Sequence, residues 1–111
     1  MNVVFADTAF FVAYLGPRDR FHTLALELMS TLRGRIVTTD WVLIELANFM
    51  ANSKIRPQVA NFVRHLQADP RFDIAPASAA AIEDGLAFYE RHVDKEWSLT
   101  DCISFQTMRR E

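Results

Sequence analysis

Asn2-Val3-Val4-Phe5-Ala6-Asp7-Thr8, running on into Ala9-Phe10-Phe11-Val12-Ala13-Tyr14-Leu15 and stopped by Gly16-Pro17, decides the fold class of this chain. Residues 2–6 are a short, mostly apolar run, the pattern of a strand buried on both faces. Residues 9–15 read as a short helix that Gly16-Pro17 ends. The acid Asp7 therefore falls at the carboxyl end of a strand, where open α/β sheets place their ligands.

The same alternation continues along the chain. From Asp19 to Arg33, Phe21, Leu24, Ala25, Leu28, Met29 and Leu32 recur at helical spacing, and Gly34 suits the C′ position beyond them. Arg35-Ile36-Val37-Thr38-Thr39 is rich in β-branched residues and predicts a second strand. A helix over 40–51 follows, then another over 57–67 with Pro57 in its first turn and Val59, Phe62, Val63 and Leu66 on one face. Phe72-Asp73-Ile74-Ala75-Pro76 is a third, weaker strand. A long helix over 78–92 should turn Ile82, Leu86 and Tyr89 inward, and Ser98 opens a last helix. Strands alternating with helices imply a parallel sheet covered on both faces, in one α/β domain over residues 1–111.

The bulk composition narrows the function classes. Half of the 111 residues are hydrophobic, enough for one domain with its own core. The single cysteine, Cys102, excludes an internal disulfide framework and a paired-cysteine zinc site, and it fits a reducing compartment. Twelve basic and fourteen acidic residues give a formal charge of −2, so any nucleic-acid partner needs a local basic patch or a bound cation. No apolar run approaches the roughly 20 residues that span a bilayer, and the start lacks the basic region of a signal peptide. A cytoplasmic protein with no membrane partner is expected.

Three acids carry the candidate chemistry, and each has two readings. Asp7 can ligate a metal at the sheet edge, or cap the helix that begins near Ala9. Glu45, flanked by Ile44 and Leu46 with Trp41 and Phe49 one turn to either side, can be a carboxylate held over a site or a solvent-facing side chain. If buried, it needs a cation or hydrogen-bond partners to stay ionised. Asp101 completes Ser98-Leu99-Thr100-Asp101, a capping-box pattern, and also suits the helix dipole. The Ser98 and Thr100 hydroxyls could instead contact a phosphate or a metal-bound water.

Taken together, the acids say more than they do singly. Unit charges about 4 Å apart repel by roughly 4 kcal/mol at an effective dielectric near 20. A fold that gathered Asp7, Glu45 and Asp101 would need a cation or raised pKa values. An oxygen-only donor set favours Mg²⁺ or Mn²⁺ over zinc.

Other chemistries fare worse. Ser98, Ser104 and Cys102 lack a partnered histidine, which argues against a nucleophilic enzyme. His22, His65 and His92 read as solvated surface residues, and Cys102 as a small core residue. No glycine-rich phosphate loop is present. Phe5, Phe10, Phe11 and Phe49 read mainly as core, with a surplus on the first helices that could line a protein–protein interface.

The strand-Asp7-Thr8 opening, the Thr39-x-x-Val42-Leu43-x-Glu45 segment and the Ser98-Leu99-Thr100-Asp101-Cys102-x-Ser104-Phe105 segment together resemble PIN domains, most closely the VapC-type toxins of type II toxin–antitoxin pairs. Asp94-Lys95-x-Trp97-Ser98-Leu99-Thr100-Asp101-Cys102 is the most specific piece, and the likeness runs from residue 3 to about 108. It implies a three-layer α/β/α fold and an Mg²⁺- or Mn²⁺-dependent endoribonuclease. Asp7, Glu45 and Asp101 match the family's first three acids, with Asp7 and Asp101 as metal ligands. Glu45 would help position the metal or the attacking water, and Thr8, Ser98 and Thr100 would be supporting polar groups. An RNA substrate, a cognate antitoxin and a homodimer are the implied partners.

The resemblance also implies a further strand, a fourth acid and a final strand, where this chain stops at Arg109-Arg110-Glu111. About 30 residues of family pattern are missing, three strands stand where the family has about five, and the Val3–Ala6 strand should be an exposed edge. The alternative function is accordingly a shortened, catalytically weak PIN-like domain that serves as a protein-binding module for an antitoxin.

Overall fold

The computed structural model describes residues 3–110. Strands β1 (Val3–Phe5), β2 (Arg35–Thr39) and β3 (Phe72–Ala75) form a parallel sheet in the order β1-β2-β3. Helices α1 (Thr8–Leu15) and α2 (His22–Thr31) link β1 to β2, and α3 (Asp40–Phe49) and α4 (Arg56–Ala68) link β2 to β3. Helices α5 (Ala79–Arg91) and α6 (Leu99–Arg110) follow. This is the α/β architecture that the alternating pattern predicts.

Register explains which residues make the core. Val4 pairs with Ile36 and Ile36 with Phe72, so these three lie across one face of the sheet. The central strand is the best buried: Ile36, Val37, Thr38 and Thr39 are all sealed from solvent. Thr38 survives there because its hydroxyl donates to the Ala6 carbonyl at 2.8 Å, which also ties the end of β1 to β2. Phe11, Val42 and Leu46 from α1 and α3 fill the core, joined by Val59 and Leu66 from α4. The Phe11 ring meets Phe10 and Phe62 edge-on at 5.5 and 5.9 Å.

Several expectations are corrected. The first strand is not buried on both faces: Val3 is exposed and Val4 and Phe5 are half-buried, because β1 has a neighbour on one side only among the described residues. Asn2, also assigned to that strand, lies outside the described residues. Helix α2 begins at His22, with Phe21 at its N-cap, and buries only Ala25 and Met29. Phe21, Leu24 and Leu28 are exposed. Gly34 does take a positive φ of 93°, two residues past the Leu32 C-cap.

Helix α5 departs most from its pattern. Ile82, Leu86 and Tyr89 are exposed, and the one buried residue is Gly85. Its contact with α6 is close enough that a Cβ on Gly85 would meet Ile103 Cγ1 at 2.5 Å. Two of the three histidines are also more engaged than expected, while His65 is exposed as its pattern suggests. His22 Nδ1 lies 2.8 Å from the Ala13 carbonyl, and His92 stacks on Phe88 with ring centroids 4.1 Å apart.

Candidate functional site

One cavity of about 560 Å³ is lined by Asp7, Glu45 and Asp101, together with Thr8 and Thr100. Three acids separated by 38 and 56 positions in sequence thus share one concave surface.

Each acid arrives by a local rule. Asp7 follows buried Ala6, whose N–H donates to the Val37 carbonyl at 2.8 Å and ends β1. Its backbone is extended, and its Oδ1 accepts from the Phe10 N–H at 2.9 Å, so it caps α1. Asp101 closes the capping box: its N–H donates to Ser98 Oγ at 3.0 Å, and its Oδ2 accepts from the Ser98 N–H at 3.1 Å. The cap readings of Asp7 and Asp101 are therefore both correct, and both caps sit in the cavity. Glu45 is half-buried in the middle of α3 and lines the cavity.

Electrostatics follow from those caps. The positive ends of two helix dipoles, α1 and α6, border the same cavity and offset part of the repulsion among its carboxylates. The caps hold one oxygen of each aspartate and so fix its rotamer. Among the described residues, however, no three His, Cys, Asp or Glu side chains stand close enough to enclose a metal ion. The donor chemistry, hard carboxylate and hydroxyl oxygen, fits Mg²⁺ or Mn²⁺. What the cavity offers is an open arrangement around shared space.

Two predicted polar groups part company. Thr8 and Thr100 line the acid cavity, whereas Ser98 lines a separate pocket with Trp97, Lys95 and Cys102. Ser98 touches the site only through Asp101, whose rotamer it fixes. Cys102 is buried, and burial first, then the charge of Asp101, pushes its thiol pKa up, so it is a core residue and no nucleophile.

Two further residues were not foreseen as site residues. Asp19, in the turn between α1 and α2, lines the same cavity as a fourth carboxylate, its Oδ1 accepting from the Phe21 N–H at 2.9 Å. The helical spacing over 19–33 makes Asp19 the start of a helix and says nothing of a cavity. Buried Ser104, one turn after Asp101 on α6, also lines the cavity; the i, i+3 spacing from Asp101 was the available signal. Phe49, expected in the core, lies at the rim instead and is 68% exposed.

The model of the PIN domain family matches residues 4–111, and the chain belongs to that family. Among solved structures, it is similar to VapC20 of Mycobacterium tuberculosis, a toxin that cleaves the sarcin-ricin loop. The TM-score is 0.85 at 24% identity, over 98% of this chain and 82% of that one, so the two share a fold. No match was found among the curated proteins.

Proposed function

We propose that this chain is a divalent-metal-dependent endoribonuclease, the toxin of a VapBC-like type II toxin–antitoxin pair. The observation that carries the reading is the convergence of Asp7, Glu45 and Asp101 on one cavity at the carboxyl end of the sheet. Membership of the PIN domain family supports it, as does the likeness to a toxin that cuts an RNA loop.

Asp7 and Asp101 would hold Mg²⁺ or Mn²⁺, which when bound supplies Lewis-acid activation of water and a positive charge toward the phosphate. The protein's own groups do the positioning. The backbone N–H of Phe10 and that of Ser98 pin the two aspartates, so little side-chain entropy is lost on coordination. Glu45, half-buried on α3, would help position the metal or the attacking water. The Thr8 and Thr100 hydroxyls are donors for phosphate oxygens, and Ser98 acts through Asp101 as a positioning residue. Hydrolysis then adds the water oxygen to phosphorus and releases a ribose hydroxyl.

The working unit is proposed to be a homodimer restrained by a cognate antitoxin, with RNA as substrate. Exposed apolar side chains on α2, Leu24 and Leu28 among them, are the kind of surface such partners cover. Among the described residues no helix is long and apolar enough to cross a membrane.

The test is cleavage of a structured RNA with Mg²⁺ or Mn²⁺ and with chelator. Asp7→Asn and Asp101→Asn keep a capping side chain, so they are expected to fold while losing at least about 100-fold in rate. Cutting that survives both substitutions, or that ignores the chelator, would refute the assignment.

A further inference from the structure

The acid cavity carries exposed aromatic rings. Phe49 is 68% exposed, Phe21 is 53% exposed, and both line it. Phe49 stands four residues after Glu45, and Phe105 four after Asp101, which places each ring on the same helix face as its acid. Elsewhere in the molecule the phenylalanines pack together, with Phe11 against Phe10, Phe62 and Phe72. Arg20 lies over the Phe21 ring, its guanidinium carbon 4.9 Å from the centroid.

Charge decides what these rings can take. Four carboxylates line the cavity, and the chain has a net charge of −2. Without a bound cation a polyanionic backbone is repelled there, so contacts that carry no charge gain weight in holding a nucleic acid. The face of a base offers such a contact. Stacking on an aromatic ring is indifferent to neighbouring carboxylates and tolerant of base identity. Arg20, held on the Phe21 ring, adds a cation at the rim where a phosphate would pass.

We propose that Phe21 and Phe49 are base-stacking platforms that hold unpaired nucleotides of the RNA beside Asp7, Glu45 and Asp101. The proposal rests on the ribonuclease reading above and deepens it. Paired bases hide their faces in the duplex stack, so the rings would admit loops, bulges and single strands and turn duplex away. They would set binding and leave the chemical step to the acids.

The test is binding of a short, fluorescein-labelled single-stranded RNA, followed by anisotropy with Ca²⁺ present. The comparison is an oligomer of the same length with abasic riboses, which keeps the phosphates and removes the bases. The wild-type chain is expected to prefer the base-bearing oligomer, with each ring contributing roughly 5- to 100-fold. Phe49→Ala and Phe21→Ala should each shrink that preference, while Phe49→Trp keeps it. Both positions are exposed, so the variants should fold. In cleavage, KM should rise in the alanine variants with kcat held. Equal affinity for the two oligomers, or alanine variants that bind as wild type does, would overturn the proposal and assign the rings to a protein partner. If the wild type cuts RNA with metal yet shows no base preference, the ribonuclease reading stands and only this inference falls. If it neither cuts RNA nor binds either oligomer, both fall.

Discussion

Asp7 and Glu45 are mounted on one packing unit and Asp101 on another. The first unit is the main core, where Phe11, Ile36, Val42, Leu46, Val59 and Leu66 lock α1, α3 and α4 to the sheet. The second is the α5–α6 pair. No residue of α5 joins that core cluster, and α6 buries Cys102, Ile103, Ser104 and Thr107 beside it. The pair is held instead by the Gly85–Ile103 approach and by rings: Trp97 meets Phe105 edge-on at 4.9 Å and stacks with Phe88 at 5.9 Å. An exposed Arg110–Asp84 ion pair at 3.2 Å adds little. The site therefore lies on the seam, and the spacing of its carboxylates depends on how α6 seats against α3 and β2.

Substitutions should separate the two units by size of effect. Phe11→Ala empties the middle of the main core and should cost about 3–5 kcal/mol in equilibrium urea unfolding. Gly85→Ala should cost about 1–3 kcal/mol, even though alanine is the better helix former, because its Cβ is driven into Ile103. Gly85→Ala should also lower RNA cleavage beyond what its stability loss explains, since pushing α5 off α6 shifts Asp101. Unchanged cleavage by a folded Gly85→Ala chain would show that the seam does not govern the site.

The caps give the next step down. Asp7→Ala and Asp101→Ala should each cost about 1 kcal/mol in the metal-free protein, read as thermal midpoint, with the asparagine variants close to wild type. A rise in stability for the alanine variants would mean that carboxylate repulsion outweighs capping. The smallest effect belongs to the far side of the main core. Hydrogen bonds from Arg71 hold the Asp69 carboxyl below its ordinary pKa. A carboxyl with a lowered folded pKa stabilises the fold above its unfolded value near pH 4, and that contribution is lost as pH falls through the folded value. Asp69→Asn should remove this part of the acid sensitivity, by less than about 1 kcal/mol since the pair is partly solvated.

The elements whose pattern and punctuation agreed were legible in the sequence. Residues 35–39 form a strand at their predicted bounds, and Pro57 and Ser78 open helices as their chemistry requires. The burial of α2 and α5 was not legible, because helical periodicity marks an apolar face without saying whether anything covers it. Phe21, Leu24, Ile82 and Leu86 follow the period and still face solvent. In the site, Asp7, Glu45 and Asp101 could be singled out as acids at helix starts or amid apolar residues. Asp19 could not, since its place in the cavity comes from the turn between α1 and α2, and Gly16-Pro17 marks a turn there without saying which surface it lies over.

The most direct test is a Mn²⁺ titration of the intact chain, followed by calorimetry and thermal midpoint, for wild type, Asp7→Asn, Glu45→Gln and Asp101→Asn. If carboxylates from both units share one cation, wild type should bind Mn²⁺ and gain stability as the concentration passes the dissociation constant. Asp7→Asn and Asp101→Asn should each abolish that gain, and Glu45→Gln should weaken it. An equal Mn²⁺-dependent gain in wild type and in the Asp7→Asn and Asp101→Asn chains, or none in folded wild type, would contradict a metal site built across the seam.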